Sequence, residues 1–304
     1  MVLAAGFGQR ARPLSLVRPK PLFPVLNVPL IDRILDNLKA VGVNTVVVNT
    51  HHLADSVIAH LEKSDLDLDV HILTEPEILG TGGGLKNAET YLGREPFFVV
   101  NADVYSDIDL LAVAGMHLAQ PTTATLVMHD YSLFNQVAVD NRNRVVGFRN
   151  NRPDDTGTPI RTLAFTGIHV LDPGIFKYVP TGPGDIIDVY QALINRGDYP
   201  RAFVADNLVW HDAGTRERYL DLHRELLAGQ ESSRLIDTDA RVADSARLEG
   251  FVCLGAGAVI EPDAVVKDSV VWPNGRVARG AQVTSSVIAD GAEARGVIND
   301  QSVV

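Results

Sequence analysis

Leu3-Ala4-Ala5-Gly6-Phe7-Gly8-Gln9-Arg10-Ala11-Arg12-Pro13-Leu14-Ser15, continued by Arg18-Pro19-Lys20-Pro21-Leu22-Phe23-Pro24-Val25 and closed by Pro29-Leu30, is the stretch from which the rest of the chain can be read. Met1 to Ala5 is a short apolar run of the kind that forms a buried strand. Gly6 and Gly8 follow directly, where the missing Cβ lets the backbone turn sharply and aim N–H groups at a phosphate. Arg10, Arg12, Arg18 and Lys20 bring cations within one loop's length of those glycines, as neutralising a polyphosphate requires. A basic surface loop would explain a bare glycine pair. The joint pattern of glycines, cations and fixed proline turns points instead to a nucleoside triphosphate.

Two better-known glycine loops do not fit. Gly6-x-Gly8-x-x-Ala11 matches a dinucleotide fingerprint, but that fingerprint must open a helix. Pro13, Pro19, Pro21, Pro24 and Pro29 forbid a continuous helix, since each lacks a donor and clashes with the preceding turn. No Gly-Lys-Ser/Thr follows, so the mononucleotide phosphate loop fails as well.

With these residues in view, the stretch resembles the signature of the sugar-1-phosphate nucleotidyltransferases, the NDP-sugar pyrophosphorylases. That signature runs approximately Leu-Ala-x-Gly-x-Gly-Thr-Arg-Leu-x-Pro-Leu-Thr, then Pro-Lys-Pro-Leu-x-Pro-Val. Gln9 for Thr and Ala11 for Leu are departures that fall between the functional positions. The resemblance implies a mostly parallel, Rossmann-like α/β sheet. It implies nucleotide contacts at Leu3, Ala4, Ala5, Gly6 and Gly8, with Arg10 and Lys20 as catalytic cations.

A chain of 304 residues is long enough for about two domains. Its formal net charge of −11 argues against nonspecific binding to nucleic acid or anionic membrane. Cys253 is the single cysteine, which excludes an internal disulfide and a thiolate metal cluster. No signal peptide or transmembrane run is visible, and cytoplasm is the expected location.

Along the chain, apolar stripes predict helices over 29–41, 53–62, 107–118 and 185–195, with strands over 43–49, 70–74, 97–104, 123–129 and 163–170. The alternation points to βαβ units. His51-His52 has no third ligand at useful spacing and reads as a strand-end turn. Gly80-Thr81-Gly82-Gly83-Gly84 reads as a loop before a helix over 86–92. By resemblance, Glu75, Gly82 and Gly83 face the nucleobase. Asp103 ends the clearest buried strand, at the carboxyl end where open α/β sheets bind ligands. Asn101 lies two residues earlier on the same face and is expected to contact the nucleotide. The resemblance makes Asp103 one magnesium ligand, and Asp212, in Trp210-His211-Asp212-Ala213-Gly214-Thr215, the second. It also places Asn151 and Arg152 where the family carries Glu-Lys before a proline, and Thr166-Gly167 beneath the sugar. Thr215 is expected to cap the helix 216–227.

Beyond Gly229-Gln230-Glu231-Ser232-Ser233 the periodicity changes. Ile236, Val242, Leu248, Leu254, Ile260 and Val266 recur every six residues, and after a one-residue slip the series resumes at Val271, Val277 and Val283. Such a repeat predicts a parallel β-helix of about three coils, resembling the left-handed hexapeptide coil that follows many nucleotidyltransferase domains. The expected division is a catalytic domain over 1–228, a linker over 229–235 and the coil over 236–304. Val270-Val271-Trp272 and Ser286-Val287-Ile288 break the phase. Their apolar groups are expected to cap the coil or meet the catalytic domain or a second subunit, which suggests a homo-oligomer. Every expected site residue precedes Gly229, so the site is expected to survive removal of the coil.

The resemblance implies a magnesium-dependent enzyme that joins a sugar 1-phosphate to a nucleoside triphosphate and releases pyrophosphate. A rival is a catalytically silent relative that binds a nucleotide-sugar as a signal. Such a protein should have lost one of Arg10, Lys20, Asp103 or Asp212, and all are present.

Overall fold

The computed structural model describes residues 1–148 and 160–304. The chain forms two compact units, one of Met1–Gly6 with Ile34–Trp210, the other of Phe7–Arg33 with His211–Val304. The loop that opens the sequence therefore belongs, beyond Gly6, to the unit that holds the repeats.

The first unit is built on a nine-stranded sheet. Val2–Leu3 is flanked by Thr45–Thr50 and Phe97–Asn101, parallel on both sides, and Asp69–Thr74 continues the parallel set beyond Thr45–Thr50. The β-branched run Val46-Val47-Val48 is fully buried, as a strand covered on both faces requires. Ile160–Leu171 then runs antiparallel to Phe97–Asn101 and pairs at its other edge with Ala124–His129 and Val137–Asp140. Chain order reverses at Val2–Leu3, so the carboxyl ends of adjacent strands leave a crevice there. Helices lie over Ala54–Lys63, Leu110–Ala119 and Ile186–Ile194, close to the expected spans. The glycine run departs from expectation, because Gly80–Asn87 is itself helical.

In the second unit, parallel strands coil so that equivalent residues stack in ladders. One ladder is Ile236, Leu254, Val271, Ile288 and Val303. A second is Val242, Ile260, Val277 and Ala294. A third is Leu248, Val266, Val283 and Ile298. The six-residue series is thus a parallel β-helix, with one rung per side. It continues past Val283, where shortened sides hide it from a fixed period, so about three coils is an undercount. Corners are turned by residues at positive φ that also stack: Gly257, Asn274 and Gly291 in one column, Asp263 and Gly280 in another. Glycine, Asn and Asp tolerate that conformation best, which explains the small and polar residues between the aliphatic ones.

Trp272 lies inside this unit with no exposed surface. Its ring packs on Phe23 at 4.9 Å, and its indole N–H donates to Tyr219 Oη at 2.9 Å. Val270 and Val287 are buried too. Of the alternatives left by the sequence, Trp272 therefore meets its own chain. Among the described residues, no helix is long and apolar enough to cross a membrane.

Candidate functional site

Gly8 takes a left-handed conformation, φ 63°, and starts a short 3₁₀ turn over Gln9–Ala11. A Cβ there would sit 2.9 Å from Ser15 Cβ and 3.2 Å from Lys20 Cγ. Only glycine lets this turn lie against the lysine stem, and Ser15 Oγ secures it by donating to Gly8 O at 2.8 Å. Lys20 is 8% exposed, within a 3₁₀ turn over Lys20–Leu22. Arg10, by contrast, is 59% exposed, and its Nη2 lies 3.4 Å from Asp212 Oδ2. The other Asp212 oxygen accepts from Arg218 Nη1. Gly214 leaves room for this pairing, since a Cβ there would fall 2.9 Å from Asp212 Oδ2 and 3.0 Å from Arg10 Nη2. Thr215 caps the helix Arg216–Ala228 as expected and so sets Arg218 in its first turn. Arg10, Lys20, Asp212 and Arg218 thus lie in one unit, around glycines that a side chain would displace.

Arg18 does not join them. Its Nε and Nη2 donate to the two carboxylate oxygens of Asp290 at 2.7 and 2.6 Å, and Nη1 donates to Leu22 O at 3.1 Å. The sequence grouped Arg18 with the phosphate-neutralising cations. The structure instead gives its guanidinium to the coil.

In the first unit, Leu3 stands in register with both Asn49 and Asn101. Asp103 lies in the turn after Phe97–Asn101, and Ala102 N donates to Leu3 O at 3.0 Å, so Asp103 and Gly6 leave adjacent strands at the same end. Asn49, which the sequence reading passed over, ties this end together. Its Oδ1 accepts from Ala4 N at 2.9 Å, and its Nδ2 donates to Glu75 Oε1 at 2.6 Å. Glu75 Oε2 accepts from Leu79 N at 3.0 Å. A polar Asn within an apolar strand was the available signal. Glu75 is 2% exposed, and both of its carboxylate oxygens are engaged within the protein.

The glycine run is likewise turned inward. A Cβ on Gly83 would meet Gly182 O at 2.5 Å, one on Gly84 would meet Asn49 Nδ2 at 2.7 Å, and one on Gly82 would meet the backbone of Gly184 and Asp185 at 3.2 Å. Gly82 N donates to Gly184 O at 2.9 Å, and Thr81 Oγ1 donates to Asp185 Oδ1 at 3.0 Å. A helix with four glycines in eight residues is intrinsically poor by roughly 1 kcal/mol each against alanine. Close packing on 182–185 offsets that cost and explains a helix where composition reads as loop.

Thr166 is buried, its Oγ1 donating to Val127 O at 2.9 Å, while its carbonyl accepts from Trp210 Nε1 at 2.9 Å. Gly167, at φ 80°, lies against Asn101, whose Nδ2 would be 2.5 Å from an added Cβ. This puts the Thr166-Gly167 bend beside Asn101, with the threonine hydroxyl engaged by Val127 O. Asn151 and Arg152 lie outside the described residues. His51, in the pair weighed as a metal site, donates from Nδ1 to Glu75 O at 2.8 Å.

Comparison with known proteins bears on this arrangement. Residues 1–229 match the family described as nucleotidyl transferase. The chain belongs to the nucleotidyl transferase family. Among relatives of this nucleotidyl transferase, mannose-1-phosphate guanylyltransferase of Mycobacterium tuberculosis is 30% identical over 298 residues, covering 93% of this chain and 82% of the relative. N-acetylmuramate alpha-1-phosphate uridylyltransferase of Caulobacter vibrioides is 37% identical over 216 residues, 65% of this chain and 84% of the relative. A crystal structure of a putative glucose-1-phosphate thymidylyltransferase from Bacillus anthracis shares the fold, with a TM-score of 0.62 at 21% identity, over 73% of this chain and 92% of that one.

Proposed function

We propose that the chain transfers a nucleotidyl group from a nucleoside triphosphate to a sugar 1-phosphate, giving an NDP-sugar and pyrophosphate. The observation that carries this reading is the gathering of Arg10, Lys20, Asp212 and Arg218 around Gly8 and Gly214. An oxygen of the sugar phosphate attacks the α-phosphorus, a new P–O bond forms, and the bond to the β-phosphate breaks. Both reactants are anions, so the enzyme's main tasks are positioning and charge neutralisation. Arg10, exposed on its turn, holds the β- and γ-phosphates and stabilises the departing pyrophosphate. Lys20, fixed by its packing on Gly8, lies toward the α-phosphate. No general base is required, because a phosphate monoester is already ionised at neutral pH.

Among the described residues, no group of three or more His, Cys, Asp or Glu could hold a metal through protein ligands alone. Asp103 and Asp212 supply carboxylate oxygens, which with phosphate oxygens make the hard donor set that magnesium prefers. These two residues would hold it, and when bound it neutralises charge on the phosphates. Asp103→Asn or Asp212→Asn should abolish most magnesium-dependent pyrophosphate release while leaving the fold intact, as checked by circular dichroism. Near-normal rates in both variants would remove the assignment.

Arg152 is proposed to bind the sugar phosphate beside Asn151, because it precedes Pro153 as the family's lysine precedes its proline. Arg152→Ala should raise KM for the sugar phosphate far more than for the triphosphate; equal effects on both would sink this placement. The relatives' names divide between guanylyl and uridylyl transfer, so GTP and UTP against mannose 1-phosphate and N-acetylmuramate 1-phosphate are the first assays to run. We further place the catalytic domain at 1–228, the linker at 229–235 and the coil, left-handed by resemblance, at 236–304, in a cytoplasmic protein. With Trp272 covered by its own chain, a homo-oligomer rests on a narrower ground, the end of the coil, where Val297 is 73% exposed. Light scattering on the full chain tests it.

A further inference from the structure

Lys20 is held from both sides by the coil. On one side stands Arg18, separated from Lys20 only by Pro19, whose ring fixes its φ near −68°. The Arg18 guanidinium forms a two-pronged pair with Asp290, lies over the Trp272 ring at 5.4 Å, and reaches back to Leu22 O. On the other side stands Phe23, packed on Trp272 at 4.9 Å and edge-on to Tyr219 at 5.8 Å. Two backbone bonds close the turn between these anchors, Leu22 N to Pro19 O and Phe23 N to Lys20 O, each 2.9 Å. Further along, Tyr219 Oη donates to Pro24 O, and Asn27 Nδ2 donates to Leu254 O at 2.8 Å. A flexible four-carbon stem loses its aim unless its backbone is fixed, and this backbone has little other regular structure to fix it. A planar guanidinium caught between a carboxylate fork and an indole face is a strong way to do so.

We propose that Asp290 and Trp272 are positioning residues for triphosphate binding, acting through Arg18 and Phe23 on Lys20. This rests on the functional reading above. The coil is then a working part of the nucleotide site, although every residue expected to touch the nucleotide precedes Gly229. Both act on the triphosphate only through the placement of Lys20.

The test uses the full chain with Asp290→Asn and Trp272→Leu, and Trp272→Phe as a milder substitute that keeps an aromatic body. Hydrogen exchange at the Leu22 and Phe23 amides should accelerate in Asp290→Asn and Trp272→Leu, with the Val46–Val48 amides unchanged. KM for GTP or UTP, whichever the wild type turns over with magnesium, should rise roughly 10- to 100-fold, the loss expected when a charge is misplaced by about an ångström. KM for the sugar 1-phosphate should stay within about twofold, since the variants leave its contacts alone. In a Lys20→Ala background, Asp290→Asn should add no further rise, because its effect passes through the lysine. Unchanged exchange at Leu22 and Phe23 would overturn the proposal, as would a KM penalty that adds in full to that of Lys20→Ala. If the wild type turns over no triphosphate, the functional reading fails on its own, and exchange at these two amides still decides the bracing.

Discussion

Replacing Glu75 with alanine separates a structural strut from a base-binding carboxylate. The side chain is 2% exposed, and its two oxygens hold Asn49 Nδ2 at 2.6 Å and Leu79 N at 3.0 Å. Hydrogen bonds to a charged acceptor contribute about 1.5–3 kcal/mol each, so losing both costs roughly 3–6 kcal/mol. Asn49 cannot flip to compensate, because its Oδ1 already accepts from Ala4 N. For a unit of this size, melting shifts by about 2–4 °C per kcal/mol, which predicts a fall of roughly 6–24 °C. Glu75→Gln keeps the shape but turns its amide N–H groups toward one of two donors. It should lose about half as much, since one of the two bonds survives. Calorimetry on the full chain gives the shift, and initial rates give KM for the triphosphate. A Glu75→Ala protein that melts within about 2 °C of wild type, a shift worth at most about 1 kcal/mol, yet binds nucleotide poorly, would refute the strut and return Glu75 to the ligand.

Gly84→Ala should destabilise by about 1–3 kcal/mol in urea titrations, because its Cβ meets Asn49 Nδ2 at 2.7 Å and Glu75 Oε1 at 2.9 Å. Gly115→Ala, in a helix with nothing within 4 Å of the new carbon, should stabilise by about 0.5–1 kcal/mol; a loss there would contradict the helix assignment. Burial pushes His169 down to about 3 and His223 down to about 4, so both are neutral in the fold. The unfolded chain takes up those protons near the ordinary 6.5, so stability is full above that pH and falls progressively as pH drops toward 4. Urea midpoints at pH 7.5 and 5 should differ in that direction, and His223→Gln should flatten the acid limb; equal midpoints would remove the argument. His223 fits glutamine because Nε2 accepts from Leu26 N at 3.2 Å while Nδ1 donates to Tyr219 O at 2.8 Å.

What could be read in advance divides along physical lines. Buried strands and one-sided helices carry their own periodicity, and Leu30, Ile31, Ile34, Leu35 and Leu38 are all buried as their spacing required. The coil announced itself by a six-residue beat and became illegible where sides shortened past Val283. The helix Gly80–Asn87 could not be read, because its stability comes from backbone packing on 182–185, a tertiary effect that opposes local propensity. Within the candidate site, Arg10 and Lys20 stood out by charge and spacing, and Asp212 only through the family resemblance. Asn49, Arg218 and Asp290 were not legible, since each acts on a residue that is distant in sequence or described by a different motif. The protein neighbours of Glu75, Gly82 and Gly83, namely Asn49, Leu79 and the 182–185 backbone, were not legible either, since all but Leu79 lie far off in sequence.

The Arg18–Asp290 pair joins residues 272 positions apart. On a ribosome adding 5–20 residues per second, the loop carrying Lys20 waits roughly 14 to 54 s before its partner is made. Until then Phe23 has no indole to pack against, and the glycine turn has no fixed lysine stem beneath it. If the coil braces Lys20 as proposed, the nascent chain can assemble much of its sheet while still unable to grip a triphosphate. On that proposal, competence to bind arrives late in synthesis, and a chain released early is left without it.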